Sequence, residues 1–127
     1  MHGRNLSALL KNPEGTLSEP MLMINTIYMY GTNITENLKK QNCNAFERNG
    51  LYAWLMMRYG HYKYIRHFKD NVIEELYDMA KDPDELINLA VNAEYGKKLA
   101  ELRRKALEEF QKKDGDFVAF LPEPGKL

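Results

Sequence analysis

Cysteine is nearly missing from this sequence: Cys43 is the only one among 127 residues. No internal disulfide can form, and a single thiol does not report a redox compartment. A surplus of one charge is missing too. Lys and Arg total 18, as do Asp and Glu, so no net field draws nucleic acid or an anionic membrane. No apolar run approaches the ~20 residues of a membrane span. The patch Ala8-Leu9-Leu10 is too short for a signal-peptide core, so either the chain is cytoplasmic or an export signal lies further upstream. No Gly-rich loop is present to cradle a phosphate, and no segment repeats. Histidine is scarce, at His2, His61 and His67. The last two sit on one expected strand about 20 Å apart, beyond the reach of one metal ion. They read as ordinary surface or hairpin histidines.

What remains is a chain of single-domain length with ordinary apolar content, enough for one modest core. Two glycosylation sequons, Asn5-Leu6-Ser7 and Asn33-Ile34-Thr35, matter only in a secretory pathway. Residues 1–20 carry breakers at Asn12-Pro13-Glu14-Gly15 and Glu19-Pro20 and read as irregular. "MLMINTIYMY", Met21 to Tyr30, suits a strand. A long polar connection follows, with a short helix around Thr35 to Gln41. Leu51–Arg58, Tyr59-Gly60 and His61–Phe68 read as strand, turn and strand, with Gly60 supplying the left-handed corner. Alternation puts Tyr62, Tyr64, Arg66 and Phe68 on one face and Lys63, Ile65 and His67 on the other. After the turn at Lys69–Asn71, Val72–Met79 forms a third strand.

"DPDELINLA" carries helix-start chemistry. Asp82 is placed to cap a short helix, Pro83 fits its first position, Glu85 completes a capping box, and Asn88 helps to end it. A longer helix is expected over Ala93 to Lys113. Tyr95, Leu99, Leu102, Ala106 and Phe110 form its buried stripe, and Glu101–Lys105 and Arg104–Glu108 pair on its wet side. Gly115 suits its stop. Phe117, Phe120 and Leu121 anchor the tail. The expected fold class is α+β: an antiparallel sheet of about four strands packed against a long C-terminal helix.

The residues assemble into no self-sufficient reaction centre. The acidic cluster Asp78, Asp82, Asp84 and Glu85 lacks the alternating ligands and central Gly of a calcium loop. Cys43 has no histidine near it in sequence and reads as a plain thiol. The mixture of Tyr59, Tyr62, Tyr64 and Arg66 could serve as a stacking platform for nucleic acid. Cross-strand packing is the simpler account, and no nucleic-acid partner is expected.

The run Tyr59 to Ala90 resembles the C-terminal subdomain of the type I, formylglycine-dependent sulfatases of the alkaline-phosphatase-like superfamily. Arg58 to Ile65 stands for that family's Arg-x-x-x-Tyr-Lys-Tyr-Ile strand. Glu75, Leu76, Tyr77, Asp78, Asp82, Pro83, Glu85, Asn88 and Leu89 match its "ELYDL…DP-x-E-x-x-NL" segment. "HGRNLSALLKNPEG" is similar to its linking segment, with Ala8 where Pro is usual. The resemblance covers Met1 to about Asp116 and is weakest over Gly31 to Gly50. It implies a linking segment at 1–20 and a non-catalytic subdomain at 21–127, whose partner is a sulfatase catalytic domain lying outside this sequence. Formylglycine and calcium would belong to that domain, with no cofactor or metal held here. Around Cys43, Ala45 and Glu47 replace the Pro and Arg of the nucleophile motif, so Cys43 does not qualify. Glu75, Tyr77, Asp78, Asp82, Pro83, Glu85 and Asn88 would shape a strand-to-helix corner. Arg58, His61 and Lys63 at the hairpin tip would face the rim of the substrate pocket. The parent enzyme would be periplasmic or secreted, and the isolated subdomain would self-associate through its bare docking face. The other reading of the residues is a free-standing interaction module without enzymatic activity.

Overall fold

The computed structural model describes residues 19–27, 32–41, 43–113 and 115–126. The expected linking segment up to residue 18, with His2 and the Asn5 sequon, lies outside them. So do Tyr28–Tyr30 and the side chains of Asn33 and Cys43. Among the described residues, six strands and two α-helices appear in the order β1 (Met21–Asn25), α1 (Thr32–Lys39), β2 (Glu47–Arg48), β3 (Leu51–Tyr52), β4 (Trp54–Tyr59), β5 (Tyr62–His67), β6 (Glu75–Asp78) and α2 (Gly96–Lys112). Short 3-10 turns cover Cys43–Phe46, Leu89–Val91, Ala93–Tyr95 and Asp116–Phe120.

Four strands pair antiparallel in the order β1-β4-β5-β6. The β4-β5-β6 meander is the one expected from the alternation. β1 completes it at the edge, with Met23 opposite Met56 and Ile24 opposite Leu55. Leu55, Met57, Tyr64, Phe68 and Leu76 are buried on one face. Ile34 and Leu38 of α1 and Leu102, Ala106 and Phe110 of α2 close over that face. Each large apolar side chain so buried stabilises the fold by about 1.5–3 kcal/mol. Phe68 meets Phe46 at 5.4 Å edge-on and Phe117 at 5.7 Å, and Phe117 reaches Phe110 at 6.1 Å. The tail therefore enters the core at Phe117, whereas Phe120 is 40% exposed.

Several expected elements are revised. β6 begins at Glu75 rather than Val72, because the carbonyl of Val72 accepts from Gly125 N at 2.9 Å and is spent on the tail. α1 begins at Thr32, ahead of the expected start. β2 and β3 were expected as connection and strand, yet they form a separate hairpin. Its turn is Asn49-Gly50, both left-handed with φ of 53° and 78°, as the tightest hairpin turns require. α2 begins at Gly96, after two 3-10 turns whose amides at Ala90 and Glu94 are capped by Asn88 and Asn92. Arg104 pairs with Glu108 at 3.0 Å as expected. Glu101 pairs instead with Lys98 at 3.1 Å, while Lys105 sits over the Tyr59 ring at 4.5 Å. The helix stops where Gly115 N donates to Phe110 O at 3.0 Å.

Candidate functional site

The β4–β5 turn brings the proposed tip residues to one end of the sheet. Gly60 takes φ +58° there, and Tyr59 and Tyr62 pair across the turn. Arg58 and Lys63 stand directly opposite each other on the face away from the core. Arg58 is exposed. Lys63 is held at 2.6 Å from Glu85 Oε1. His61 stays at the edge of the tip, its ring 4.4 Å from that of Tyr62 and its Nε2 3.8 Å from Asp78 Oδ2. The structure thus groups Arg58 with Lys63 and sets His61 beside them, facing the end of β6.

The segment after β6 is tied down residue by residue. Asp78 is buried, and its Oδ1 accepts from Ala80 N and Lys81 N at 3.1 and 3.2 Å, which turns the chain off the strand. Asp82 caps no helix. Its two carboxylate oxygens accept from Leu86 N at 3.0 Å and Ile87 N at 2.9 Å, while its carbonyl accepts from Glu85 N at 3.1 Å. That last bond closes a β-turn with Pro83 at its second position, where a fixed φ is favoured. Glu85 takes φ +56°, which a helix would not permit, and points to Lys63 rather than back to the cap. Asn88 does not end a helix either. Its Oδ1 accepts from Leu76 N and Ala90 N, and its Nδ2 donates to Glu74 O, so one side chain stitches the loop to β6. The expected helix over this stretch is replaced by a turn and a pinned loop because these long-range ties outweigh local capping.

His67 corrects another expectation. Its side chain is 18% exposed rather than freely solvated, and its Nε2 lies 2.7 Å from Glu75 Oε2. Tyr77 donates to the other Glu75 oxygen at 2.6 Å. The hydrogen bond to His67, with that from Tyr77, outweighs burial and holds Glu75 below the usual carboxylate range. Burial, and then Glu75, push the Tyr77 hydroxyl up. Tyr64 and Arg66 are buried under α2 and the tail, so they form no stacking platform with Tyr59 and Tyr62. The acidic cluster is engaged with protein donors through Asp78, Asp82 and Glu85. No group of three or more His, Cys, Asp or Glu poised to hold a metal occurs among the described residues.

One polar constellation escaped the sequence reading. Arg103 of α2 donates from Nε and Nη2 to the two oxygens of Glu74, at 2.8 and 2.5 Å, and Tyr64 donates to the same carboxylate. Burial pushes Glu74 up, but Arg103 and Tyr64 outweigh it and hold the carboxyl below its usual range. Burial and the Glu74 charge raise the Tyr64 hydroxyl. The group borders a cleft of about 690 Å³ between α2, the Leu89–Val91 turn and the tail. Nearby, Arg66 Nη2 donates to Pro122 O at 2.7 Å. These are fastenings between helix, sheet and tail. No spacing rule links positions 29 apart, so only the three-dimensional arrangement shows them.

No family model and no curated protein matches the chain. Solved structures do. The structure of BT4656 in complex with its substrate D-glucosamine-2-N,6-O-disulfate overlaps 91% of this chain with a TM-score of 0.61 and 24% identity. A protein from Bacteroides thetaiotaomicron VPI-5482, assigned as a sulfatase, overlaps 53% at 39% identity, with a TM-score of 0.49. The chain spans 21% of the first protein and 14% of the second. Its fold therefore occurs as a minor part of a larger protein, with the α+β arrangement expected from the sequence.

Proposed function

We propose that this chain is the C-terminal subdomain of a sulfatase, a sulfuric ester hydrolase, without catalytic activity by itself. The observation that carries the reading is a coincidence of pattern and place. The Glu75-Leu76-Tyr77-Asp78 and Asp82-Pro83-x-Glu85-x-x-Asn88-Leu89 residues that resemble the sulfatase segment supply the bonds that fasten the corner after β6, some to one another and some to Lys63, Ala80, Lys81, Leu86 and Ile87. They do so in a fold that overlaps part of a protein acting on a sulfated amino sugar. By that analogy the parent enzyme cleaves sulfate esters on a carbohydrate, with formylglycine and calcium supplied by a catalytic domain outside this sequence. The subdomain packs on that domain. Its hairpin tip, with Arg58, His61 and Lys63, faces the pocket rim, where cations suit an anionic substrate.

The purified chain is expected to release no nitrophenol from an aryl sulfate above the blank. Turnover by the lone chain that disappears with Cys43→Ala would overturn the reading. So would an upstream coding sequence lacking the nucleophile motif and the calcium-binding acids.

A further inference from the structure

The cleft between α2, the Leu89–Val91 turn and the tail encloses a charge that the fold leaves without a counter-ion. Arg66 lines it and is 6% exposed. Its Nη2 donates to Pro122 O, but its Nε is buried and meets no acceptor. Among the described residues, no carboxylate stands within ion-pair distance of this guanidinium. Glu74, on the same cleft, is already committed, because its two oxygens take Arg103 twice and Tyr64 once. Around the walls, Arg66, Arg103 and Lys126 outnumber Glu74 and Glu123 by one positive charge. The start of α2 adds to that excess. Gly96 lines the cleft, the helix has no acid in its first turn, and no side chain at its N-cap bonds to its first amides. Glu94, in the turn before it, does not line the cleft. The positive end of the helix dipole therefore stands at the cleft wall. A methyl group at Gly96 would meet nothing within 4 Å, so space opens directly beside the helix start. Much of the remaining wall is apolar, with Leu99, Leu107, Val118 and Leu121.

We infer that this cleft binds a small organic acid, with its carboxylate at Arg66 and the start of α2 and its apolar body along Leu99, Leu107, Val118 and Leu121. A buried guanidinium needs an anion or enough acceptors to replace the water it has lost. Arg66 has one acceptor, whereas a carboxylate brings two oxygens in the plane of the guanidinium fork. Because Pro122 O already takes Nη2, the acid reaches Nε when the tail shifts at Pro122, so binding is felt in the tail as well. The volume of about 690 Å³ lies within the range of small-molecule sites, roughly 300–1,000 Å³. A bare inorganic ion would leave most of it empty and make no use of the apolar wall. The site is independent of the sulfatase reading and stands or falls on this chain's own residues.

The test titrates the isotope-labelled chain with hexanoate in neutral chloride buffer and follows the arginine Nε–H signals by NMR. One signal, identified as that of Arg66 by its loss in Arg66→Lys, should shift and saturate with a dissociation constant of about 1 mM. Acetate, which lacks the longer apolar body, should bind about ten-fold more weakly or worse, and uncharged hexanol should give no saturable shift. Gly96→Asp places a negative group in the open space beside the helix start. That position favours an acid, so the thermal midpoint of the variant should hold or rise. Its affinity for hexanoate should nevertheless fall about ten-fold or more. No saturable shift up to about 50 mM hexanoate, or undiminished binding by Gly96→Asp, overturns the site. Sulfate acting as well as hexanoate overturns the assignment to an organic acid.

Discussion

At the scale of single residues, Glu74 carries the clearest consequence. It is 4% exposed and accepts from both Arg103 and Tyr64. Glu74 and Glu75 both titrate below the ordinary value of 4.5 in the folded chain. Near that value each binds more protons unfolded than folded, so acid favours unfolding. Their contribution is complete above about pH 4.5 and is lost as pH falls through the depressed folded values. Urea midpoints measured from about pH 7 down to about pH 3 should therefore drop steeply in the acid half of the range. Arg103→Met should flatten that drop. It should also cost about 2–4 kcal/mol at neutral pH, somewhat under the penalty for fully buried pairs because the guanidinium is partly solvated. A neutral-pH loss without any change in the acid slope would show that Arg103 acts through packing alone.

At the scale of elements, the two tight glycines differ in kind. Gly60 needs its left-handed φ, but a methyl group there would meet nothing within 4 Å. At Gly115 a methyl group would sit 2.4 Å from the Phe110 carbonyl oxygen, inside the closure of α2. Gly60→Ala should cost about 1 kcal/mol, the price of a left-handed alanine. Gly115→Ala should cost more, because the helix stop itself must shift, and thermal melts of the two variants should rank in that order. This level also shows what a sequence can convey. The β4-β5-β6 meander was legible because alternation and the turn at Gly60 are local. The stripe of α2 was legible for the same reason. The Asn49-Gly50 pair is a hairpin turn in type, but the polar residues before it hide the two-residue strand β2 that it joins to β3. The loop after Asp82 was misread because Asp-Pro-x-Glu serves both helix starts and turns. What decides between them is Lys63, 22 positions away, and the edge of β6 that Asn88 grips. The tip residues Arg58, His61 and Lys63 were legible as neighbours, but the separation of His61 from the other two depends on Tyr62 and Asp78.

At the scale of the whole molecule, sheet, helices and tail share one cluster of buried side chains. They should lose structure together. Far-ultraviolet circular dichroism reports mostly α2, whereas the emission of the single tryptophan, Trp54, reports the sheet face away from it. Thermal curves from the two probes should coincide, as two-state unfolding requires. A sheet that persists after the helix melts would divide the chain into two units.

Phe117 lies between Phe68 and Phe110, contributed by a segment that leaves the ribosome after the six strands and two α-helices described above. The meander and the long helix can meet earlier, but their shared interior stays open on one side until that ring arrives. Completion of this core therefore waits for the tail, and nascent chains halted before Phe117 would offer chaperones an unfinished aromatic seat.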